Sequence, residues 1–368
     1  MKDHTQRILF LVPYPIEGAS CRYRIYQFLP FLEKEGIHCT ISPFISKNFY
    51  KILHKPGALL KKFTYLSQGM GRRLLDLIKL PFYDAIFIHL ESLPFPFLPL
   101  EYLAKICRKP IFYDFDDAIF LRKENSQNIL LNIFKSYRKV PKRISLSSRV
   151  IVGNQHLKDF ASHHIDKYKI SIVPTSVDTE KFEIKTYNNS IPIIGWIGSH
   201  STFPYLEDLL NIFPILSKNF NFILNIIGAP SQIRLPGVQI LQKEWTLEEE
   251  IHSFSSLDIG IYPLRDTEWV RKSKIGFKAI QYMASQTPCV ATDIGFNKDL
   301  IIDGVNIFLA GNKEEWIKKI ALLLSSQNLR KEMGENGRKT AEQHFSLKIY
   351  SSVFTSIIKD SLQRNSHL

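Results

Sequence analysis

Two successive series of short apolar runs, each run set off from the next by an amphipathic stretch, restrict the possible fold more than any other feature of this chain. In the first series RILFLVPYP reads as a buried strand ending at Pro13, and RYRIYQFLPFLEKEG as an amphipathic helix stopped by Gly36. HCTISPFI, YDAIFIHL, PIFYDFDD, RVIVGN and ISIVPTSVD continue the series. Such runs are apolar nearly throughout, as strands covered on both faces must be, and strands of this kind joined by helices form a parallel sheet. A polar segment, EIKTYNNS at 183–190, interrupts the pattern and reads as a linker. PIIGWIGS, FILNIIGAP, VQILQKE, IGIYPL and PCVATDIG then form a second series, with PYLEDLLNIFPILSKN as a helix among them. The expectation is an α/β chain with a first domain over 1–185 and a second over 186–345. The working cleft should lie between them, beyond the strand C-termini. In residues 346–368 and just before, Phe345, Ile349, Val353, Ile357 and Leu362 could share one helical stripe. That helix either packs back across the domain junction or lies as a plain surface helix on the second domain.

At 368 residues the chain has room for two full cores. No apolar run reaches the roughly 18 residues that span a bilayer. The opening MKDHTQRILFLVPYP lacks the pattern of a signal peptide. Cys21, Cys39, Cys107 and Cys289 show no metal or redox spacing, so a reduced cytoplasmic setting is expected. The net charge of +13 is uneven: residues 1–185 hold 29 Lys/Arg against 17 Asp/Glu, while residues 186–368 hold 19 against 18. The first half should therefore face an acidic partner.

Within the second half, RKSKIGFKAIQYMASQTPCVATDIG at 271–295 reads as a helix, a tight stop and a buried strand. Ser273 is placed to cap that helix, and Gly276 permits close approach to its first turn. Arg271, Lys272, Lys274 and Lys278 crowd the same end. Cations oppose the dipole at a helix N-terminus, so a bound anion is expected there, a diphosphate foremost.

The stretch GFKAIQYMASQTPCVATDIGFNKDLIIDGVNIFLA resembles the nucleotide-binding signature of the retaining glycosyltransferases of family 4, the group 1 transferases. IPIIGWIGSHSTFPYLEDLL is similar to the first strand–loop–helix of their C-terminal domain. RVIVGNQHLKDFA with ISIVPTSVDTEKF is similar to the end of their N-terminal domain. The resemblance implies a GT-B fold, two Rossmann-like domains with parallel sheets facing a central cleft, the donor on the second and the acceptor on the first. It also implies transfer of a sugar with retention, from a nucleotide-sugar donor that is a substrate; no cofactor is expected. The signature's two Glu positions read Ser273 and Gln281 here, and its Arg and Lys for the diphosphate read Ser199 and Pro204. Gln281 keeps a side chain able to bond a ribose hydroxyl. Lys274, Lys278 and Gln281 fall at i, i+4 and i+7, so this face with Arg271 and Lys272 is expected to replace the missing cations. Gly276 and Phe277 complete that helix start.

Other donor candidates are Gly198 and Ser199, whose backbone N–H groups follow a strand, with Thr202 as a helix cap and Arg265 at a nearby strand end. In the first half Gly18, Arg22 and Arg24 follow the first strand, where acceptor or phosphate contacts are expected. His89 ends one strand; Asp116 and Asp117 end another, with Asp114 on the same face as Asp116. Adjacent carboxylates there are costly unless they bind something. The resemblance implies that Asp116 or Asp117 touches the transferred sugar or the acceptor hydroxyl; His89 is the third catalytic candidate. The leaving diphosphate itself is implied to help deprotonate the acceptor, and transfer of a hexosyl group is expected to be metal-independent, with no metal site.

Residues 46–80 hold eight Lys/Arg against one acid, interleaved with Phe, Tyr, Leu and Ile. This suits docking on an anionic membrane surface, at the inner face of the plasma membrane, with 135–149 as a second basic tract. Nucleic acid is disfavoured, because no helix-turn-helix, zinc or RNP pattern occurs. The reading is a glycosyltransferase acting on a glycan or lipid-linked acceptor in cell-surface polysaccharide or lipopolysaccharide synthesis. Its alternatives are a catalytically weak nucleotide-sugar-binding protein and a sugar-nucleotide epimerase of the same fold.

Overall fold

The computed structural model describes residues 5–53, 57–95, 97–121, 139–273, 276–295 and 300–365. The chain divides into one unit of Met1–Ser176 with Lys348–Leu368, and a second of Val177–Leu347. The boundary thus falls about nine residues before the expected one. The segment 183–190 has no regular structure, yet it is fixed to the second unit and is not a free linker. The Lys185 ammonium pairs with Asp258 at 3.2 Å, and the Tyr187 hydroxyl donates to the Gln286 and Arg330 carbonyls.

In the first unit β1 (Gln6–Val12), β2 (Ile37–Pro43), β3 (Ala85–His89), β4 (Ile111–Phe115), β5 (Arg149–Val152) and β6 (Ile170–Ile172) form one sheet, parallel throughout, in the order β2-β1-β3-β4-β5-β6. The strands read as unbroken apolar runs because both faces are covered: Ile8–Val12 and Ala85–His89 are at most 1 % exposed. Covering helices include α1 (Ala19–Arg24), α2 (Leu29–Lys34), α3 (Lys47–Ile52), α4 (Leu59–Lys79) and α5 (Pro99–Ile106). The final helix, Leu347–Asn365, also belongs here over most of its length, with Phe354 stacked on Phe28 at 4.5 Å. Its buried face is not the stripe expected from sequence. Phe354, Ile358 and Leu362 point inward, whereas Ile349 and Val353 are exposed.

The second unit holds β7 (Ile193–Ile197), β8 (Ile223–Ile227), β9 (Gln239–Lys243), β10 (Ile259–Tyr262), β11 (Cys289–Thr292) and β12 (Phe308–Ala310). Their order, β12-β11-β10-β7-β8-β9, is again parallel throughout. Numbered from its own first strand this is 3-2-1-4-5-6, the order of a dinucleotide-binding sheet. Both sheets reverse direction of travel at one point, between β1 and β3 and between β7 and β10. A crevice opens at such a point beyond the strand C-termini, so each unit has a predetermined place for a ligand.

Candidate active site

In the first unit β3 and β4 are in register at His89 and Asp114, so the two side chains meet at the C-terminal end of the sheet. The Asp114 carboxylate accepts from His89 Nδ1 at 2.6 Å and forms an ion pair with Arg24, all three being at most 1 % exposed. Arg24 also donates to the Val173 carbonyl. Burial alone would raise the Asp114 pKa, but Arg24 and His89 reverse this and hold it below the ordinary carboxylate value. Burial alone would lower the His89 pKa; the bond to Asp114 overrides it and lifts it to about 10. His89 is therefore an imidazolium at neutral pH, and both ring N–H groups donate. The second lies 2.8 Å from the Ser20 hydroxyl oxygen. With the ring protonated, Ser20 is the acceptor in that bond.

This network corrects two expectations. Arg24 cannot serve as a phosphate contact, because its guanidinium is buried and committed to Asp114 and Val173. His89, also buried, is not open to a ligand; its outward contact is with Ser20, a half-buried residue on α1. Arg22 donates to the Ile16 and Glu17 carbonyls at 2.8 and 3.1 Å and so shapes the loop after β1. Gly18 is N-cap of α1, tight against the Tyr14 side chain. Asp116 and Asp117 are half-buried just past β4. Burial, then the neighbouring Asp117 charge, raise the Asp116 pKa, and Thr175 donates to its carboxylate at 3.0 Å. A carboxyl group with a raised pKa and an open side is the arrangement a proton-handling residue needs.

Beside this cluster is an apolar cavity of about 100 Å³. Tyr14, Phe44, Phe49, Leu53, Leu66 and Leu93 line it, together with Glu91. Lys139 holds Glu91 at 2.9 Å, and Arg143 pairs with buried Glu101 at 2.7 Å. Within the 135–149 tract Lys139 and Arg143 point inward and so do not add to a basic surface, Lys142 is exposed, and 135–138 lie outside the described residues.

In the second unit the switch point is flanked by the loop after β7 and the loop after β10. Gly198 and Ser199 follow β7 as expected, but their N–H groups are occupied. Gly198 donates to Ile227 and Ser199 to the Thr202 hydroxyl, both at 3.0 Å. Thr202 does not cap the following helix, which is five residues long. Gly198 is needed for packing: a Cβ there would fall 1.9 Å from the Trp196 ring. Arg265 forks onto the Asp208 carboxylate and donates to the Pro204 carbonyl, which ties the β10 loop to the short helix Phe203–Glu207 that follows β7.

The helix expected to begin near 273 is two helices. Glu268–Ser273 ends there, and Phe277–Ala284 begins after Gly276, whose φ of +75° is the left-handed conformation that favours glycine. Arg271 and Lys272 thus occupy the last turn of a helix, where the dipole favours cations, and pair with Asp266 and Glu268. The dipole argument for an anion does not apply to them. Lys274 lies outside the described residues. Lys278 is in the first turn of Phe277–Ala284, with its ammonium 5.6 Å from the Phe254 ring centre. Phe277 is half-buried beside it, and Gln281 one turn on is 1 % exposed. The candidate donor surface therefore narrows to Gly276–Lys278 and the loop after β10. Sequence reasoning missed Thr292, whose hydroxyl accepts from the Leu264 N–H at 2.8 Å and braces that loop. It also missed Ser20, in the first turn of α1, and Thr175, three residues past the end of β6.

Residues 191–326 match the family Glycosyl transferases group 1. Across 206 residues the chain is 23 % identical to the capsular polysaccharide biosynthesis glycosyltransferase CapM of Staphylococcus aureus, covering 50 % of this chain and 52 % of that one. The chain thus spans about half the length of that curated relative. Among solved structures it is similar to Anabaena Alr3699/HepE in complex with UDP and glucose, with TM-score 0.70, 14 % identity and coverage of 96 % and 100 %. A glycosyltransferase from Rickettsia africae ESF-5 superposes with TM-score 0.67 at 17 % identity, covering 98 % and 99 %. The architecture is GT-B, and 191–326 is the stretch that is similar to the group 1 glycosyl transferases.

Proposed function

We propose that this protein is a retaining, family 4-type glycosyltransferase. It moves a hexosyl group from a nucleotide sugar held by the second unit to a glycan or lipid-linked acceptor held by the first. The observation that carries the reading is the group 1 match over 191–326, which takes in the whole switch point of the second sheet, from β7 through β10 and β11. CapM, by its name, works in capsular polysaccharide synthesis, and HepE binds UDP and glucose. A uridine donor and a cell-surface polysaccharide product are the corresponding proposals here. Asp116 handles the acceptor hydroxyl, with Thr175 orienting it. Ser20, its oxygen held by His89, offers its proton to an acceptor or phosphate oxygen. Stabilisation of the leaving diphosphate falls to Lys278 and the first-turn N–H groups after Gly276. The apolar cavity beside Glu91 suits the hydrocarbon next to the head group of a lipid-linked acceptor.

A second reading, nucleotide-sugar binding with little turnover, is favoured by one observation. Arg265, Arg271 and Lys272 are each matched by an acid, so the diphosphate charge has few cations to meet it. Thermal-shift measurements with UDP, GDP, ADP and their sugars test both readings. A nucleotide-specific rise in Tm is expected, and no response to any nucleotide would remove both.

A further inference from the structure

The helix α4 is amphipathic in the inverted sense. Its inward side chains are polar because of what it covers: the carbonyl-bearing ends of β1 and β2 and the loop after β3, which need donors. Arg73 supplies them, donating to Ser92 at 2.6 Å, Ser42 at 3.0 Å and Val12 at 3.1 Å, and its charge is met by Asp76 at 2.8 Å. Gly69 lets the helix sit closely, since a Cβ there would fall 2.8 Å from the Phe44 carbonyl oxygen. At 100° per residue, Leu60, Phe63, Leu74 and Ile78 fall within a sector of about 60° opposite Gly69. These four are 80 %, 68 %, 58 % and 69 % exposed, and Phe82 extends the row at 71 %.

We infer that this outward face seats the first unit on an anionic lipid surface, with its apolar side chains inserted among the acyl chains. The charge pattern selects that occupant. Lys61 and Lys79 are exposed along one flank of the helix, and Lys51 is exposed on neighbouring α3. The one acid in 46–80, Asp76, is turned inward and used by Arg73 and Ser42. Within 46–80 the outward surface therefore presents apolar groups and cations, the acid met by α3 being Glu17, which pairs with Lys47 at 2.9 Å; this complements a layer of anionic head groups over hydrocarbon. Among the described residues no helix is long and apolar enough to cross a membrane, so α4 lies along the surface for its length of about 30 Å. It does so at the C-terminal end of the same sheet that carries Asp116 and Ser20, placing the acceptor site of that unit near the lipid. The inference goes beyond glycosyl transfer and stands without it.

Flotation of the full chain with vesicles of phosphatidylcholine and phosphatidylglycerol is the test, against phosphatidylcholine alone. Binding to the anionic vesicles at least tenfold tighter is expected, with part of it surviving 0.5 M salt. The triple variant F63S/L74S/I78S, all at exposed positions, should keep its circular dichroism spectrum and nucleotide response and lose binding at least tenfold. Binding by that variant equal to wild type, or loss only in K61E/K79E, would overturn insertion and leave plain electrostatic adsorption. No vesicle binding, with dimers in sedimentation velocity that the triple variant abolishes, would assign the face to a second copy of the chain.

Discussion

Asp114 is the residue whose replacement tests the first-unit site most sharply. Asp114→Asn keeps the volume but removes the carboxylate that is bonded directly to two buried cations, Arg24 and His89, leaving only the more distant charge of Asp116 to face them. Removing one partner of a buried pair costs about 3–5 kcal/mol, because the remaining charge stays desolvated. His89 can shed its proton to limit the damage, whereas Arg24 cannot, so a loss of roughly 3 kcal/mol is expected. The sign of the pH dependence follows from the same contacts. The folded His89 pKa of about 10 lies above its unfolded value near 6.5. Its contribution is therefore complete below about pH 6.5 and disappears as pH rises through 10. Wild-type stability should decline across that window, and the Asn variant should not. The four tryptophans, at 196, 245, 269 and 316, all lie in the second unit. Tryptophan fluorescence is thus blind to this change, and the assay is amide exchange of β3 and β4 at pH 6 and pH 9. A change under 1 kcal/mol, or equal pH slopes in the two proteins, would refute the buried imidazolium.

Three further outcomes follow from the second unit and the reaction. Lys278→Ala should weaken nucleotide-sugar binding tenfold or more by calorimetry, while Arg271→Ala and Lys272→Ala, whose charges are already matched by acids, should change it less than threefold. Gly198→Ala forces a methyl into the Trp196 ring and should cost at least about 1–3 kcal/mol, read directly in the Trp196 emission during urea unfolding. Transfer should persist in EDTA, as measured by the rate of nucleoside diphosphate release.

The fold was legible because periodicity and burial agree. Runs such as ILFLV and AIFIH are apolar throughout, and only a sheet covered on both faces explains that. Helix boundaries were less legible. The cations before Gly276 looked like a crowded N-terminus because no sequence pattern shows that the chain leaves one helix at Ser273 and re-enters another after a left-handed glycine. The partners of Arg24, Arg271 and Arg265 were not legible for a related reason: a charge count does not show the carboxylates that they meet, which lie 90, 5 and 57 residues away. A charge count does not distinguish a cation awaiting a ligand from one already paired. Ser20 and Thr175 were invisible because a hydroxyl carries no pattern of its own; only the register of β3 on β4 and the loops beside them give it meaning. On α4 composition gives the cations, whereas the exposed apolar row is visible only once the helix is placed with Arg73 and Asp76 turned inward.

The central claim is sugar transfer to an acceptor, and its most direct measurement is acceptor-dependent release of nucleoside diphosphate by the purified full chain. The donor would be the one selected by thermal shift, and the acceptors a panel of glycans and lipid-linked saccharides. Release should rise with acceptor, yield a product of retained anomeric configuration by NMR, and fall at least a hundredfold in Asp116→Asn with donor affinity unchanged. Tight donor binding with no acceptor-dependent release across the panel, or full activity in the Asp116→Asn variant, would contradict the account.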